Sequence, residues 1–425
     1  MEEEYDKNQP SNYILYFDAN NLYDWAMSQY LPLKDFQWID PATEVLSTPP
    51  DSSTGYILEV DLGYPSDLHD NHSDLPLAPE TAIPPGCKEK SLLTTLNNKQ
   101  RYMLLFSTIS MYYQNLQLYL QHGLKLNKVH RILQFEQAPW LKSYIDLNTT
   151  LRTAATNDFE KNFYLLMNNA VFGKTMENIR SRVDVKLCGT APKAEKLIAR
   201  SNFQERTIFS EDLAAFHMRR TVLTFNKPIV VRMVVLDVSK TLMYDFHYSK
   251  MIPKYGSHLK LLYTDTDSFI YNIVTEDVYA DMAQALELYD TSDYSPNNIY
   301  GLSLVNKKVL RKMKDETKGE VVTEFAGIRS KVYIYKSGTN TVKKLKGVKK
   351  AVIEKKISFE DYMQCLFQHK ELMTCMNLIR SKTHQIYSIT ASKIALSPHD
   401  QKRHVLADRI STLPFGHYSL RNDDE

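Results

Sequence analysis

The chain has 425 residues, enough by length for about two or three domains. At 43% hydrophobic and 24% charged it reads as an ordinary globular protein, with no apolar run near the ~20 residues that cross a bilayer. Met1-Glu2-Glu3-Glu4 lacks the pattern of a signal peptide, and Cys87, Cys188, Cys365 and Cys375 are scattered without a C-x-x-C, which excludes a secreted disulfide scaffold and predicts reduced thiols in an intracellular protein, nucleus or cytoplasm unresolved. Net charge is only +2, but it is unevenly spread. Residues 1–100 hold 5 Lys/Arg against 17 Asp/Glu, whereas residues 306–356 hold 16 against 5, a block able to neutralise phosphates or to serve as a solvated charged face.

In chain order, residues 1–10 predict a disordered leader, and Tyr13 to Phe17 a strand that ends in Asp18. Residues 41–90 are rich in Pro, Ser and Asp around one strand, Gly55 to Asp61. His69-x-x-His72 lies there beside Asp70 and Asp74, and without cysteine or helical H-E-x-x-H context it reads as a polar loop rather than a zinc site. Tyr102 to Tyr113 predicts a strand, followed by a helix ending near His122-Gly123. Leu151 to Asn178 is free of proline and carries Leu165, Asn169, Phe172, Gly173 and Met176 on one face, which predicts a long helix. Residues 179–220 read as an insertion, Ile229 to Tyr248 as a helix, Glu276 to Tyr289 as a short helix, and Val332 to Tyr335 as a strand. Residues 358–380 predict an amphipathic helix, and Arg421 to Glu425 a loose tail.

Leu261 to Tyr271 holds two strand-like runs meeting at Thr264-Asp265-Thr266-Asp267. Two carboxylates at one turn either cap backbone amides, as Asx turns do, or bind a cation that relieves the cost of burying them. With Asp18 at the end of another strand, a three-carboxylate cage for two metals becomes possible, the arrangement used in phosphoryl transfer.

These residues carry a resemblance. Tyr263-Thr-Asp265-Thr-Asp267-Ser268 resembles motif C of family B DNA polymerases, and Asp18-Ala-Asn-Asn21-Leu22-Tyr23 resembles their motif A. Asn169-Ala170-Val171-Phe172-Gly173 is similar to motif B, K-x-x-x-N-S-x-Y-G, and Lys331-Val332-Tyr333 to the K-x-Y motif, all in the family's order. The surrounding residues resemble the protein-primed branch, most of all the copies in Maverick-type (Polinton-like) transposons, over roughly residues 11 to 400.

The resemblance implies an α+β right-hand polymerase: an antiparallel palm, helical fingers and a thumb. It divides the chain into 1–40 (palm, motif A), 41–135 (palm with an insertion), 136–200 (fingers, motif B), 201–300 (palm, motif C) and 301–425 (K-x-Y region and thumb). It implies addition of dNTPs to a primer 3′-hydroxyl on a DNA primer–template, with two Mg²⁺ ions (or Mn²⁺) held by Asp18, Asp265 and Asp267, and a terminal protein as priming partner. Tyr23 would lie under the incoming sugar and exclude a ribose 2′-hydroxyl, Asn169 and Gly173 would face the base pair, and Lys331 and Tyr333 would contact the primer-terminal backbone. Lys343, Lys344 and Lys346 of the basic block would hold the duplex. Motif A begins within 18 residues of Met1, so an exonuclease domain is expected to be missing and the chain to be the polymerase half of a larger protein.

The motif B helix departs from the pattern. Leu165 stands where a phosphate-gripping lysine belongs, and Ala170 where a serine does. Lys161 is one turn earlier, ~6 Å along the axis, and is the nearest substitute for nucleotide binding. Losing such a cation costs on the order of 10²–10³ in rate. Asp24 is a lesser departure, at a position where relatives carry glycine or proline. Two alternatives stay open: a DNA-binding polymerase remnant of little activity, and a two-metal nuclease.

Overall fold

The computed structural model describes residues 10–82, 91–93, 109–400 and 402–421. Its centre is a five-stranded sheet in the order Leu259–Thr264, Ser268–Thr275, Ser11–Ala19, Met313–Asp315, Tyr289–Asp290. The first three strands are antiparallel, and the last pair is parallel. Leu15, Phe17 and Ala19 point to one face, where Phe17 and Phe269 meet Phe246. Tyr16, between them, points to the other face and meets Tyr333 and Tyr335 edge-on. Both faces are covered, which is why Tyr13 to Phe17 is a continuous apolar run instead of a strict alternation.

The covering helix on the first face runs Ile229–Asp245, widens into a π-helical turn at Phe246–Met251, and closes at Ile252–Tyr255. Val231, Val234, Val235 and Val238 fill one core with the four-stranded sheet, while Met243, Phe246 and Met251 fill the core behind the carboxylate-bearing strands. The helix therefore locks two layers together, and the extra residue of the π turn re-aims its side chains between them. Burial of His247 between these layers pushes its imidazole down to about 3.

The four-stranded sheet has the order Leu31–Ile39, Lys125–Ala138, Thr54–Gly63, Ile109–Tyr112. At Gly55 a Cβ would lie 2.3 Å from Gln137 Oε1, so glycine leaves room for the side chains of Gln137 and Phe135 to pack over this strand. The expected strand from Tyr102 survives as Ile109–Tyr112, with Tyr113 already helical and residues 102–108 outside those described.

Two further expectations change. The long helix from Leu151 is two helices, Lys142–Ala154 and Asp158–Thr175. Ala155 is extended, and Asn157 caps the second helix by accepting from the Glu160 amide, with Asp158 and Glu160 favourably placed in its first turn. Residues 358–380 are helical only over Phe359–Gln368, begun by a Ser358–Asp361 capping box and closed by His369 in the left-handed conformation (φ 55°). Leu372–Lys382 then pairs with Gln385–Leu396 through a two-residue turn, Thr383 and His384, both at positive φ.

Residues 179–220 hold a three-stranded sheet, Val183–Cys188, Leu213–Arg219, Phe203–Ser210, with a helix at Ala191–Ile198 and a small core of Cys188, Leu197, Phe216 and Met218. The expected boundary at residue 200 falls inside this unit. The basic block forms the meander Val322–Arg329, Val332–Ser337, Asn340–Leu345 and the helix Lys350–Lys356. Cys188, Cys365 and Cys375 are free, while Cys87, the leader up to residue 9 and the tail beyond 421 lie outside the described residues. Among the described residues no helix is long and apolar enough to cross a membrane.

Candidate active site

Strand register brings the motif A and motif C residues together. Asp18 pairs with Ser268, and the Ala19 amide donates to the Asp267 carbonyl at 2.7 Å, which sets Asp18 beside the Asp265–Asp267 turn. Burial and the neighbouring Asp267 and Glu316 push the Asp18 carboxyl up to about 7, and burial with Asp265 raises Asp267. Asp265 Oδ1 accepts from the amide of the next residue, Thr266, at 2.9 Å. Its other oxygen is 3.1 Å from Lys331 Nζ, on a residue held at φ 63°. The K-x-Y lysine thus reaches the motif C turn directly.

Among the described residues no three His, Cys, Asp or Glu side chains converge closely enough to hold a metal ion as they stand. The donor set nevertheless suits a hard divalent cation: three carboxylates crowd one strand end, and a cation would offset the repulsion that raises Asp18 and Asp267. Lys331 is the cation that faces Asp265 in this arrangement.

The Leu22–Met27 helix follows the Asp18 strand and carries Tyr23 against Phe172 of the Asp158–Thr175 helix, rings stacked at 4.6 Å and 17°. Burial and Asp267 raise the Tyr23 hydroxyl, so that ring lies between the carboxylates and the helix. Asn169 and Gly173 are exposed on this helix, and nothing approaches within 4 Å of where a Gly173 Cβ would sit. Leu165 is half-buried. Lys161 spends its ammonium on exposed Asp158, 3.3 Å away.

Two connections escaped sequence reasoning. Asp24 is buried and accepts from Asn168 Nδ2 at 3.0 Å, riveting the motif A helix to the motif B helix. The signal was the acid standing where relatives carry glycine or proline, one residue from Tyr23, but its partner is 144 positions away. Arg152 Nη1 donates to Asn21 Oδ1 at 3.1 Å, which no local pattern announces.

Other expected site residues serve structure. Tyr333 is buried, and its hydroxyl donates to that of Tyr16 at 3.2 Å, so it braces the sheet. Lys343 Nζ donates to the Ile357 carbonyl at 2.6 Å and closes the end of the Lys350–Lys356 helix. Lys344 and Lys346 are exposed. His69 and His72 lie in a loop as expected, but a buried one: His72 Nδ1 shares a bond with the Tyr64 hydroxyl at 2.9 Å, and His69 accepts from the Tyr418 amide at 3.0 Å.

No protein-family model and no curated protein matches the chain. Solved structures do. A phi29 DNA polymerase complexed with primer–template DNA and incoming nucleotide substrates is similar at TM-score 0.52 and 14% identity, over 92% of this chain and 59% of that one. The orthorhombic crystal form of phi29 DNA polymerase is similar at 0.51 and 15%, over 92% and 60%, and its complex with single-stranded DNA at 0.50 and 15%, over 92% and 59%. At such identities the shared property is the fold. The chain is thus a mixed α/β protein with the fold of phi29 DNA polymerase over about 59% of that polymerase's length.

Proposed function

We propose that this chain is the polymerase part of a DNA polymerase, adding dNTPs to a primer 3′-hydroxyl on a DNA template. The observation that carries the reading is the register of Asp18 on Ser268, which lays the motif A carboxylate beside the motif C turn with Tyr23 and Phe172 stacked next to it. In this reading the five-stranded sheet is the palm, the Lys142–Ala154 and Asp158–Thr175 helices are fingers, and the C-terminal hairpin belongs to the thumb. The primer 3′-oxygen attacks the α-phosphate, the P–O bond to the β-phosphate breaks, and pyrophosphate leaves. Asp18 and Asp267 would hold Mg²⁺ or Mn²⁺ with Asp265 in support; such ions, when bound, activate the attacking oxygen and steady the leaving one. Tyr23 lies flat on Phe172 as a floor for the deoxyribose, where a 2′-hydroxyl would meet the ring. The open face with Asn169 and Gly173 admits the base pair. Lys331 moves between Asp265 and the primer backbone.

Protein priming, a terminal-protein partner and a transposon or viral origin rest on the residues around the motifs at Asp18 and Phe172. The test is extension of a primed template with Mg²⁺ and four dNTPs. A second reading, a DNA-binding remnant, is favoured by Leu165 and by carboxylates that do not converge at ligand distance. Retention of primer–template with no extension under any dNTP concentration would establish that reading instead.

A further inference from the structure

We propose that Asp24 and Asn168 are a positioning pair: their bond holds Tyr23 in its seat on Phe172, and so sets how closely that ring polices the sugar of an incoming nucleotide. This deepens the polymerase reading and rests on it for the identity of the ligand.

The Leu22–Met27 helix has only six residues. That is far below the ~12–15 at which a lone helix becomes stable, so its orientation is set by what it packs against. Tyr23 stacks on Phe172, rings 4.6 Å and 17° apart. The next residue, Asp24, accepts from Asn168 Nδ2 at 3.0 Å. Asn168 stands four residues before Phe172, one turn away on the same face of the Asp158–Thr175 helix. Stack and bond therefore join the same two helices side by side. A stack alone is free to slide, because dispersion has little direction and aromatic pairs accept many offsets. A hydrogen bond fixes both length and angle. The start of the short helix is held as well, since Asn21, at φ 44°, accepts from Arg152 Nη1 at 3.1 Å.

Burial singles this bond out. Asp24 is 3% exposed and Asn168 2%. Along the whole Asp158–Thr175 helix only Asn168 and Thr175 are fully buried, so its deepest side chains are polar. Asn168 Oδ1 is buried with no hydrogen-bond partner among the described residues, an arrangement that costs stability. Leucine has nearly the same shape and would carry no such cost, so the asparagine contributes direction rather than stability. Burial raises the Asp24 carboxyl, while the Asn168 bond and the charge of Arg152 oppose that rise.

The test joins two readouts on the full chain. With fluorotyrosine incorporated, the fluorine NMR line of Tyr23, assigned by its loss in Tyr23→Phe, reports the seat of the ring without any reaction. Extension of a primed template with dATP or ATP gives the ratio of kcat/KM for the two sugars. Asp24→Leu and Asn168→Leu combined removes the bond but keeps the packing, so its denaturant midpoint should stay above that of Asn168→Ala. In it the Tyr23 line should shift or broaden. The preference for dATP over ATP should fall on the order of tenfold, the worth of one charge-assisted bond, while kcat for dATP holds. The exchange Asp24→Asn with Asn168→Asp, which remakes the bond in the opposite direction, should restore both readouts. If the leucine pair does not fold, Asp24→Asn alone, which keeps an acceptor but removes the charge, should show part of both changes. An unmoved Tyr23 line or an unchanged sugar preference overturns the proposal. If the line responds as expected but even the wild type never extends a primer, the positioning pair stands and the polymerase reading fails.

Discussion

The five-stranded sheet and the Asp158–Thr175 helix face each other across Tyr23 and Phe172, and they treat charge in opposite ways. The sheet edge concentrates it: Asp18, Asp265 and Asp267 share one strand end, with Asp18 pushed up to about 7. The helix face is nearly empty of it, showing Asn169, Gly173 and half-buried Leu165, while Lys161 is tied to Asp158. In the proposed function the sheet edge supplies the chemistry on a phosphate, and the helix face only shape.

The largest effect should come from the sheet. Asp267→Asn removes one of the crowded charges and should lower primer extension on the order of 10³-fold in steady-state assays, with DNA retention intact. An active Asp267→Asn would sink the two-metal reading.

Acid should then strike the sheet side before the helix side. Burial pushes His72 down to about 4 and His247 to about 3 from an ordinary 6.5, and both sit in the layers behind the sheet. A histidine with a depressed folded value stabilises above its unfolded pKa, and that contribution is lost as pH falls from 6.5 toward the folded value. Between pH 7 and pH 5 each should cost roughly 2 kcal/mol, a loss that His247→Gln blunts in the denaturant midpoint, while protonation of Asp18, raised to about 7, works the other way. A profile that His247→Gln leaves unchanged would mean that this ring is hydrated.

Leu165→Lys sharpens the contrast by restoring charge to the helix. On a primed template it should improve dNTP use by on the order of 10²-fold, read as a lower KM. No gain in a chain that already extends briskly would place the phosphate grip elsewhere, with Lys161 the first candidate.

Asn168→Ala cuts the rivet between the two regions and leaves the Asp24 carboxyl buried without its donor. A loss of about 1–3 kcal/mol in equilibrium unfolding is expected, because the stranded group keeps its desolvation penalty. The smallest effect belongs to the basic block. Reversing Lys344 and Lys346 should flatten the salt dependence of DNA binding by about 0.9 for each phosphate no longer neutralised. Lys343→Glu should instead act on stability, since its ammonium holds the Ile357 carbonyl.

Sequence reasoning went furthest where structure is local. The strand ending in Asp18 and the two strands flanking Asp265 and Asp267 follow from apolar runs broken by polar turns. It failed where partners are distant. Leu372–Lys382 has a composition that fits a helix, and becomes a strand because Gln385–Leu396 offers it a full antiparallel ladder. Lys343 and Tyr333 looked like DNA-binding residues because lysine and tyrosine serve either purpose, and only the neighbours Ile357 and Tyr16 turn them inward.

The amino-acid order alone therefore named the carboxylates and the aromatic ring of the candidate site, since type and spacing along single strands and turns suffice to nominate them. Tertiary structure decided what holds them in place. A helix end and a distant loop are hydrogen-bonded to the same two asparagines, Asn21 and Asn20, and bonds between elements so far apart leave no periodic trace in the chain.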